Sequence, residues 1–284
     1  MPLDPTAKYH EQGTALSGYA EGGPYHCEDC IHKPDKKTPL CLHPAVVVDP
    51  ELQHRLVAIQ TGPAIQINLE RGCCRYVNPG IVALFLRHGE TELNAQNRFR
   101  GHLDVPLDQN GLQQAQEAAQ FILKEYPGVV RIVCSPLTRA RQTAQPIADA
   151  LGIPVEIDQR LISWHLGMLT GQNRDDFKDV LQQHIDNPTD PIPGGESLDE
   201  VRERVGQAVE EILDHAEEHG LTLVVTQSSD IYPILQLIEG KDHGEELETP
   251  MTGPGGVIAV SIEGDGFKAE VVFGEEKPAE IGAS

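Results

Sequence analysis

Residues 81–91 read IVALFLRHGET, and this stretch decides the fold. The six consecutive apolar residues Ile81–Leu86 are typical of a strand that is buried on both faces of a sheet. Arg87 and His88 then follow at the carboxyl end of that strand. Ligands of open α/β sheets bind beyond the carboxyl ends of the strands, so residues 87–91 are candidates for a functional site.

After residue 80, apolar runs alternate with segments of helical spacing. The predicted strands are Ile81–Leu86, Val129–Val133, Leu221–Val225, Val257–Ile262 and Ala269–Phe273. The predicted helices are Gly111–Tyr126, Thr138–Leu151, Glu196–His219 and Asp230–Glu239. Strands that alternate with helices argue for a mostly parallel sheet covered on both faces. The sequence therefore predicts an α/β fold, a three-layer α/β/α sandwich with a mostly parallel sheet.

Two arginines that follow predicted strands suit an anionic ligand. The guanidinium of Arg87 is a fixed cation whose donor geometry matches phosphate oxygens. In SPLTRA at 135–140, Arg139 falls in the first turn of a helix, where the helix N-terminus also favours an anion. Gly89 is expected to let the backbone approach such a ligand closely. These features predict an anion site at this edge of the sheet.

Two further glycine motifs follow in the same order along the chain. Gly167 and Gly171 flank a Leu-Thr pair, and PGGES at 193–197 opens the long helix. Together with RHGET and SPLTRA, these motifs resemble the histidine phosphatase superfamily, which includes the cofactor-dependent phosphoglycerate mutases. The resemblance covers about residues 80–262 and implies the three-layer α/β/α fold.

The resemblance also implies roles for particular side chains. His88 would be the nucleophile that becomes phosphohistidine, which divides one difficult displacement into two easier ones. The residues that would bind the transferred phosphoryl group are Arg87, Arg98 and Arg139, with Asn94 nearby. Arginines in such positions stabilise charge on the phosphoryl oxygens. The resemblance implies a small phosphorylated substrate, and we expect no cofactor in this part of the chain.

Two positions depart from the family pattern. The family has Ser-His-Gly where this chain has Thr-Gln-Ser, so Gln227 stands in place of a second histidine of the phosphate pocket. Ser163 stands in place of a glutamate that donates a proton. Both residues are expected in the substrate site, where Gln227 would donate one uncharged hydrogen bond. Losing a positioned general acid typically costs about 10²–10⁴ in rate, so the sequence predicts a weak phosphatase.

Three functions are compatible with this pattern. The first is a divergent phosphatase or mutase-like enzyme that works through phosphohistidine, with its missing proton supplied by His165, Asp230 or Glu92. The second is a catalytically impaired pseudoenzyme that binds a phosphorylated ligand or a partner. The third is a structural or assembly protein that uses the fold as a scaffold.

The charge of the chain restricts its partners. With 22 basic and 44 acidic side chains, the formal net charge is −22. Residues 1–79 carry a net charge of −2 and residues 80–284 carry −20. Nucleic acids and anionic membranes bind clustered Lys and Arg, so neither is an expected partner. The chain opens with Met-Pro-Leu-Asp-Pro and lacks the pattern of a signal peptide, so we expect a cytoplasmic location.

The sequence divides into four parts. They are a loose leader (1–25), a Cys-rich module (26–79), a histidine phosphatase-like domain (80–273) and a tail (274–284). The module holds five of the six cysteines, and a segment of about 50 residues usually needs a staple or a neighbour to fold. It is also a candidate surface for a protein partner.

The cysteines of this module suit a metal ion. Two thiolates in Cys-x-x-Cys spacing turn toward one ion, and four thiolates in two groups suit tetrahedral Zn²⁺. The predicted zinc ligands are Cys27, Cys30, Cys41 and Cys74, with Cys73 beside Cys74 and with His32 and His43 as alternative ligands. The spacing loosely resembles zinc ribbons and also the four-cysteine pattern of high-potential iron–sulfur proteins. A [4Fe–4S] cluster, or free or disulfide-bonded cysteines, therefore remain alternatives.

Overall fold

The structure is a computed structural model that describes residues 66–67, 76–77, 80–264 and 266–277. The chain divides into two compact units, residues 1–79 and 80–284. In the first unit the described residues form one short antiparallel pair, Gln66–Ile67 with Tyr76–Val77. The leader and the predicted ligands of the Cys-rich module lie outside the described residues. The metal site therefore stays a prediction.

The second unit is built on strands, of which the longer ones follow the apolar runs of the sequence. They are β1 (Ile81–Arg87), β2 (Arg131–Cys134), β3 (Val155–Ile157), β4 (Thr222–Thr226), β5 (Met251–Thr252), β6 (Val257–Glu263), β7 (Gly266–Phe273) and β8 (Glu276–Lys277). Six of them form one sheet in the order β3-β2-β4-β1-β6-β7. The pairs β3–β2, β2–β4 and β4–β1 are parallel, whereas β1–β6 and β6–β7 are antiparallel. The short strands β5 and β8 pair separately.

The helices flank this sheet. They are α1 (Glu92–Ala95), α2 (Gln109–Glu125), α3 (Thr138–Leu151), α4 (Arg174–Asp186), α5 (Leu198–His219) and α6 (Ser228–Ile238). The predicted bounds of α3 are confirmed to the residue, since Gly152 adopts a left-handed conformation (φ 67°) and ends the helix. Ser197 and Glu200 form a capping box that starts α5. No helix in the described part of the chain is long and apolar enough to span a membrane.

Alternate residues of the central strand β1 contact helices on opposite faces of the sheet. Ala83 and Phe85 belong to a buried cluster with residues of α5 and α6, whereas Leu84 and Leu86 belong to a second cluster with residues of α2 and α3. Each fully buried Leu or Phe contributes roughly 1.5–3 kcal/mol relative to exposure. The predicted α/β class is therefore confirmed, with a mixed sheet between two layers of helices.

Candidate active site

His88 lies at the carboxyl end of β1 with its side chain fully buried. Its backbone N–H donates to Thr226 O (2.9 Å) at the end of the neighbouring strand β4. The ring nitrogen Nδ1 is 2.6 Å from Gly89 O. A carbonyl oxygen only accepts, so Nδ1 carries the proton and Nε2 carries the lone pair. Nε2 is buried and has no hydrogen-bond partner among the described residues.

Burial and the charges around His88 keep its ring neutral. Burial, followed by the guanidinium groups of Arg139, Arg100 and Arg87, holds the pKa of His88 well below its usual value near 6.5. A desolvated base next to cations loses its proton more readily. A neutral imidazole with an unprotonated Nε2 is the form that can attack phosphorus.

Four buried or mostly buried arginines form what we call the arginine cluster: Arg87, Arg100, Arg139 and Arg174. Burial lowers the pKa of Arg174 to about 10, and burial together with the charge of Arg174 lowers the pKa of Arg87 to about 9. Burial and the charges of the other three lower the pKa of Arg100 well below its ordinary value. Like charges that share a desolvated site repel one another, so an anion placed among them would be strongly stabilised.

Arg87 and Arg139 differ in how much of each guanidinium is used within the protein. Arg87 donates through Nη1 to Thr252 O (2.6 Å), while its buried Nε and Nη2 have no hydrogen-bond partner among the described residues. Arg139 donates to Leu103 O (2.8 Å) and Gly101 O (3.0 Å), and it thereby fixes the loop that leads into α2. Arg87 therefore offers more free donors to a ligand than Arg139 does.

Arg98, which the resemblance assigned to phosphoryl binding, lies outside the arginine cluster. Its side chain is exposed, and Nη1 donates to Gly171 O (2.7 Å). Arg100 is 5% exposed and takes the inner position instead. The sequence did not predict Arg100 or Arg174, and two-residue alternation gives no signal for Arg100, because it would place positions 98 and 100 on the same face.

Asn94 and Gly89 are placed by contacts near the start of helices. Asn94 Oδ1 accepts from the backbone N–H and the hydroxyl of Thr91, while its buried Nδ2 has no hydrogen-bond partner among the described residues. A Cβ on Gly89 would overlap the carbonyl oxygen of Gly111 in α2. The glycine thus allows the end of β1 to pack against α2, and the expected close approach of a ligand to Gly89 stays a prediction.

Gln227 is held inside the protein. In the orientation that satisfies its amide, Oε1 accepts from Ser135 Oγ (2.7 Å) and Nε2 donates to Asp230 Oδ2 (2.6 Å) and Leu161 O (3.1 Å). Both N–H groups are thus occupied. The expectation that Gln227 donates to a phosphoryl oxygen is not met in this arrangement, since the amide has no donor left.

Ser163 and Gln227 line the same small cavity. Its walls also include Arg100 and Arg174 on the charged side, and Phe99 and Trp164 on the apolar side. Ser163 Oγ lies 3.1 Å from Ser229 Oγ, and Trp164 Nε1 donates to Glu196 O (2.9 Å). The structure therefore brings Ser163 and Gln227 together, next to the arginine cluster.

The three proton donors considered from the sequence occupy different places. Asp230 is fully buried beside Gln227, and its carboxylate accepts a short hydrogen bond from Thr226 Oγ1. His165 stacks on His102 with ring centroids 4.5 Å apart. Glu92 is exposed on α1 and accepts from Gln96. None of the three lines the cavity described above.

The sequence profile of the histidine phosphatase superfamily (branch 1) matches residues 83–273. The chain belongs to this superfamily. Within the matched range lie His88 and all four members of the arginine cluster. Among the part of the chain that the structure describes, no group of three His, Cys, Asp or Glu side chains could hold a metal ion.

Curated members of the histidine phosphatase superfamily match part of the domain. A probable phosphoglycerate mutase GpmB of Serratia proteamaculans is 40% identical over 133 residues, which are 45% of this chain and 61% of that protein. A probable phosphoglycerate mutase GpmB of Escherichia coli O1:K1 is 38% identical over 134 residues, with the same shares. The chain thus spans about 61% of the length of these relatives.

Solved structures extend the similarity over the domain. A mycobacterial glucosyl-3-phosphoglycerate phosphatase, determined with VO3, is 25% identical, with a TM-score of 0.57, and covers 70% of this chain and 98% of its own. A structure described as mycobacterial hydrolase 1 has the same TM-score at 24% identity and shares the fold.

Proposed function

We propose that this protein is a phosphatase-type enzyme that binds a small phosphorylated substrate in the arginine cluster and transfers its phosphoryl group to Nε2 of His88. The observation that carries the proposal is the protonation and the surroundings of the His88 ring. Its Nε2 is buried, unprotonated and without a hydrogen-bond partner in the described structure, and three arginines act on it. The GpmB proteins and the mycobacterial phosphatase support the same class of reaction.

The arginine cluster would supply most of the stabilisation. In the transition state of phosphoryl transfer, negative charge spreads over the equatorial oxygens, and preorganised donors stabilise it. The free N–H groups of Arg87, with Nδ2 of Asn94, are the donors that such a group would meet. Water would then attack phosphohistidine, release phosphate and return the lone pair to Nε2.

Turnover of p-nitrophenyl phosphate tests the proposal, because its leaving group needs no proton. We expect wild-type turnover and a fall of at least about 10³-fold in His88→Ala, since the nucleophile is lost. His219→Ala is the matched control, because this histidine is exposed at the end of α5. A wild type without turnover and without an acid-labile, alkali-stable label on His88 would refute the enzymatic function.

A second function is favoured by the hydrogen bonds of Gln227 and Ser163. Both side chains are engaged within the protein, at positions where the family pattern has a second histidine and an acid. This supports a pseudoenzyme that binds a phosphorylated ligand or partner without turnover. Inorganic phosphate should then stabilise the fold by about 2.7 kcal/mol at one hundred times its Kd. Absence of any shift at millimolar phosphate would remove both functions and favour the scaffold.

We further propose that Cys27, Cys30, Cys41 and Cys74 bind a structural Zn²⁺ ion in the N-terminal module. The supporting observation is the Cys-x-x-Cys spacing followed by two more cysteines. The module would then be a folded surface that a protein partner could contact. Its location with the rest of the chain in the cytoplasm, a reducing compartment, would favour metal over disulfides.

A further inference from the structure

The cavity lined by Ser163 and Gln227 has a strongly basic wall. Arg100 lines this cavity and also acts electrostatically on His88, so it connects the cavity to the nucleophile. Arg174, the first residue of α4, lines the same cavity with its guanidinium 5.4 Å from the centre of the Phe99 ring. Two cations therefore line this cavity, and one of them, Arg100, also acts on His88.

The same cavity has no acidic wall. Among the described residues that line it, the polar groups are the two arginines, an amide and hydroxyls, and none carries a carboxyl or an imidazole. An alkyl phosphate needs a proton on its leaving oxygen, because an alkoxide is a poor leaving group at neutral pH. These walls offer positive charge to a leaving group instead of a proton.

We propose that the substrate is a phosphoric anhydride, such as an acyl phosphate, whose leaving group departs as an anion against Arg100 and Arg174. This inference rests on the proposed function. The lone pair of His88 Nε2 forms the N–P bond, while the anhydride P–O bond breaks and its electrons stay on the leaving oxygen. A carboxylate is thus released without protonation. Water then cleaves the N–P bond and gives dihydrogen phosphate, so the charge of two negative units is conserved.

The charge of the cluster fits this class of substrate. A leaving group that becomes anionic as its bond breaks adds charge where Arg100 and Arg174 lie. Interactions that strengthen only in the transition state raise the rate, and this one strengthens as the leaving group separates.

A panel of three donors tests the substrate class. We expect acetyl phosphate to phosphorylate His88 at least about 10²-fold faster than ethyl phosphate, which is the range for an absent general acid. Equal rates with these two donors would overturn the inference. Reaction with p-nitrophenyl phosphate but not with acetyl phosphate would also overturn it, and would leave the proposed function standing. Failure of all three donors would refute the proposed function itself.

Variants of Arg100 test the role of the cavity charge. Arg100→Met should lower kcat/KM for acetyl phosphate about 10- to 100-fold, and Arg100→Lys should retain most of it, because a charged donor is kept. Arg202→Met on α5 is the matched control and should react like wild type. Ser163→Glu, which restores a carboxyl to the wall, should reduce the preference for acetyl over ethyl phosphate. Unchanged kcat/KM in a folded Arg100→Met protein would overturn the inference.

Discussion

Asp230→Asn should change how the stability of the protein depends on pH. Asp230 is fully buried, and burial raises the pKa of its carboxyl from 3.8 to about 7, although Arg204, Thr226 and Arg139 favour the anion. The unfolded chain therefore releases this proton at lower pH than the folded protein does. Stability from this group is greatest below pH 4 and falls as the pH rises, until the folded carboxyl is also ionised above about pH 7.

The size of the effect follows from the two pKa values. Between pH 5 and pH 8, ionisation lowers the free energy of the unfolded state by about 4 kcal/mol and that of the folded state by about 1.4 kcal/mol. The wild type should therefore lose about 3 kcal/mol of unfolding free energy through Asp230 over this range. Asn does not ionise, so the Asp230→Asn variant should not lose this unfolding free energy between pH 5 and pH 8.

Urea unfolding of wild type and Asp230→Asn at pH 5, 6, 7 and 8 measures this difference. Any loss of stability that the substitution causes equally at every pH cancels, because the measured quantity is the change in ΔΔG with pH. Asp214→Asn, an exposed residue of α5, is the control and should give a constant ΔΔG. If ΔΔG for Asp230→Asn is also the same at all four pH values, the carboxyl is ionised throughout and its assigned environment is wrong.

Three further predictions concern the site, the packing and the metal. Ser163→Glu with Gln227→His should raise turnover of alkyl phosphates at least about 10-fold, measured by phosphate release, because the variant gains a proton donor and a group that can carry positive charge. Gly111→Ala should cost at least about 2 kcal/mol in urea unfolding, because its Cβ would overlap Glu90 O, whereas Gly206→Ala has room and should not destabilise. Elemental analysis should find about one equivalent of Zn. Replacing the first cysteine of the Cys-x-x-Cys pair with Ser should remove this Zn. Iron instead of Zn would indicate an iron–sulfur cluster.

The elements that the sequence predicted well have strong local signals. β1 is a run of apolar residues between turn and polar residues, and α3 ends at Gly152, where only a residue tolerant of positive φ fits. α4 was not predicted, because it buries only Leu181 and His184 and its periodicity is weak. Its position depends on packing that no local pattern contains.

The residues of the candidate site also differ in whether a local sequence pattern predicts their position. His88 and Arg87 follow a buried strand, so their place at the edge of the sheet is a local property of the sequence. Arg174 comes from a segment 86 positions after His88, and only the folded chain brings its charge to the same cluster.

Residues 81–91 by themselves determined the central strand and the place of His88 at its carboxyl end, because apolar burial and strand-end placement are encoded locally. Only the tertiary structure decided that Arg100 replaces Arg98 beside His88, and that the amide of Gln227 is occupied by Asp230. These choices depend on which groups meet across the sheet and how deeply they are desolvated. Electrostatic interactions of that kind are set by distance and burial, which the order of residues along the chain does not contain.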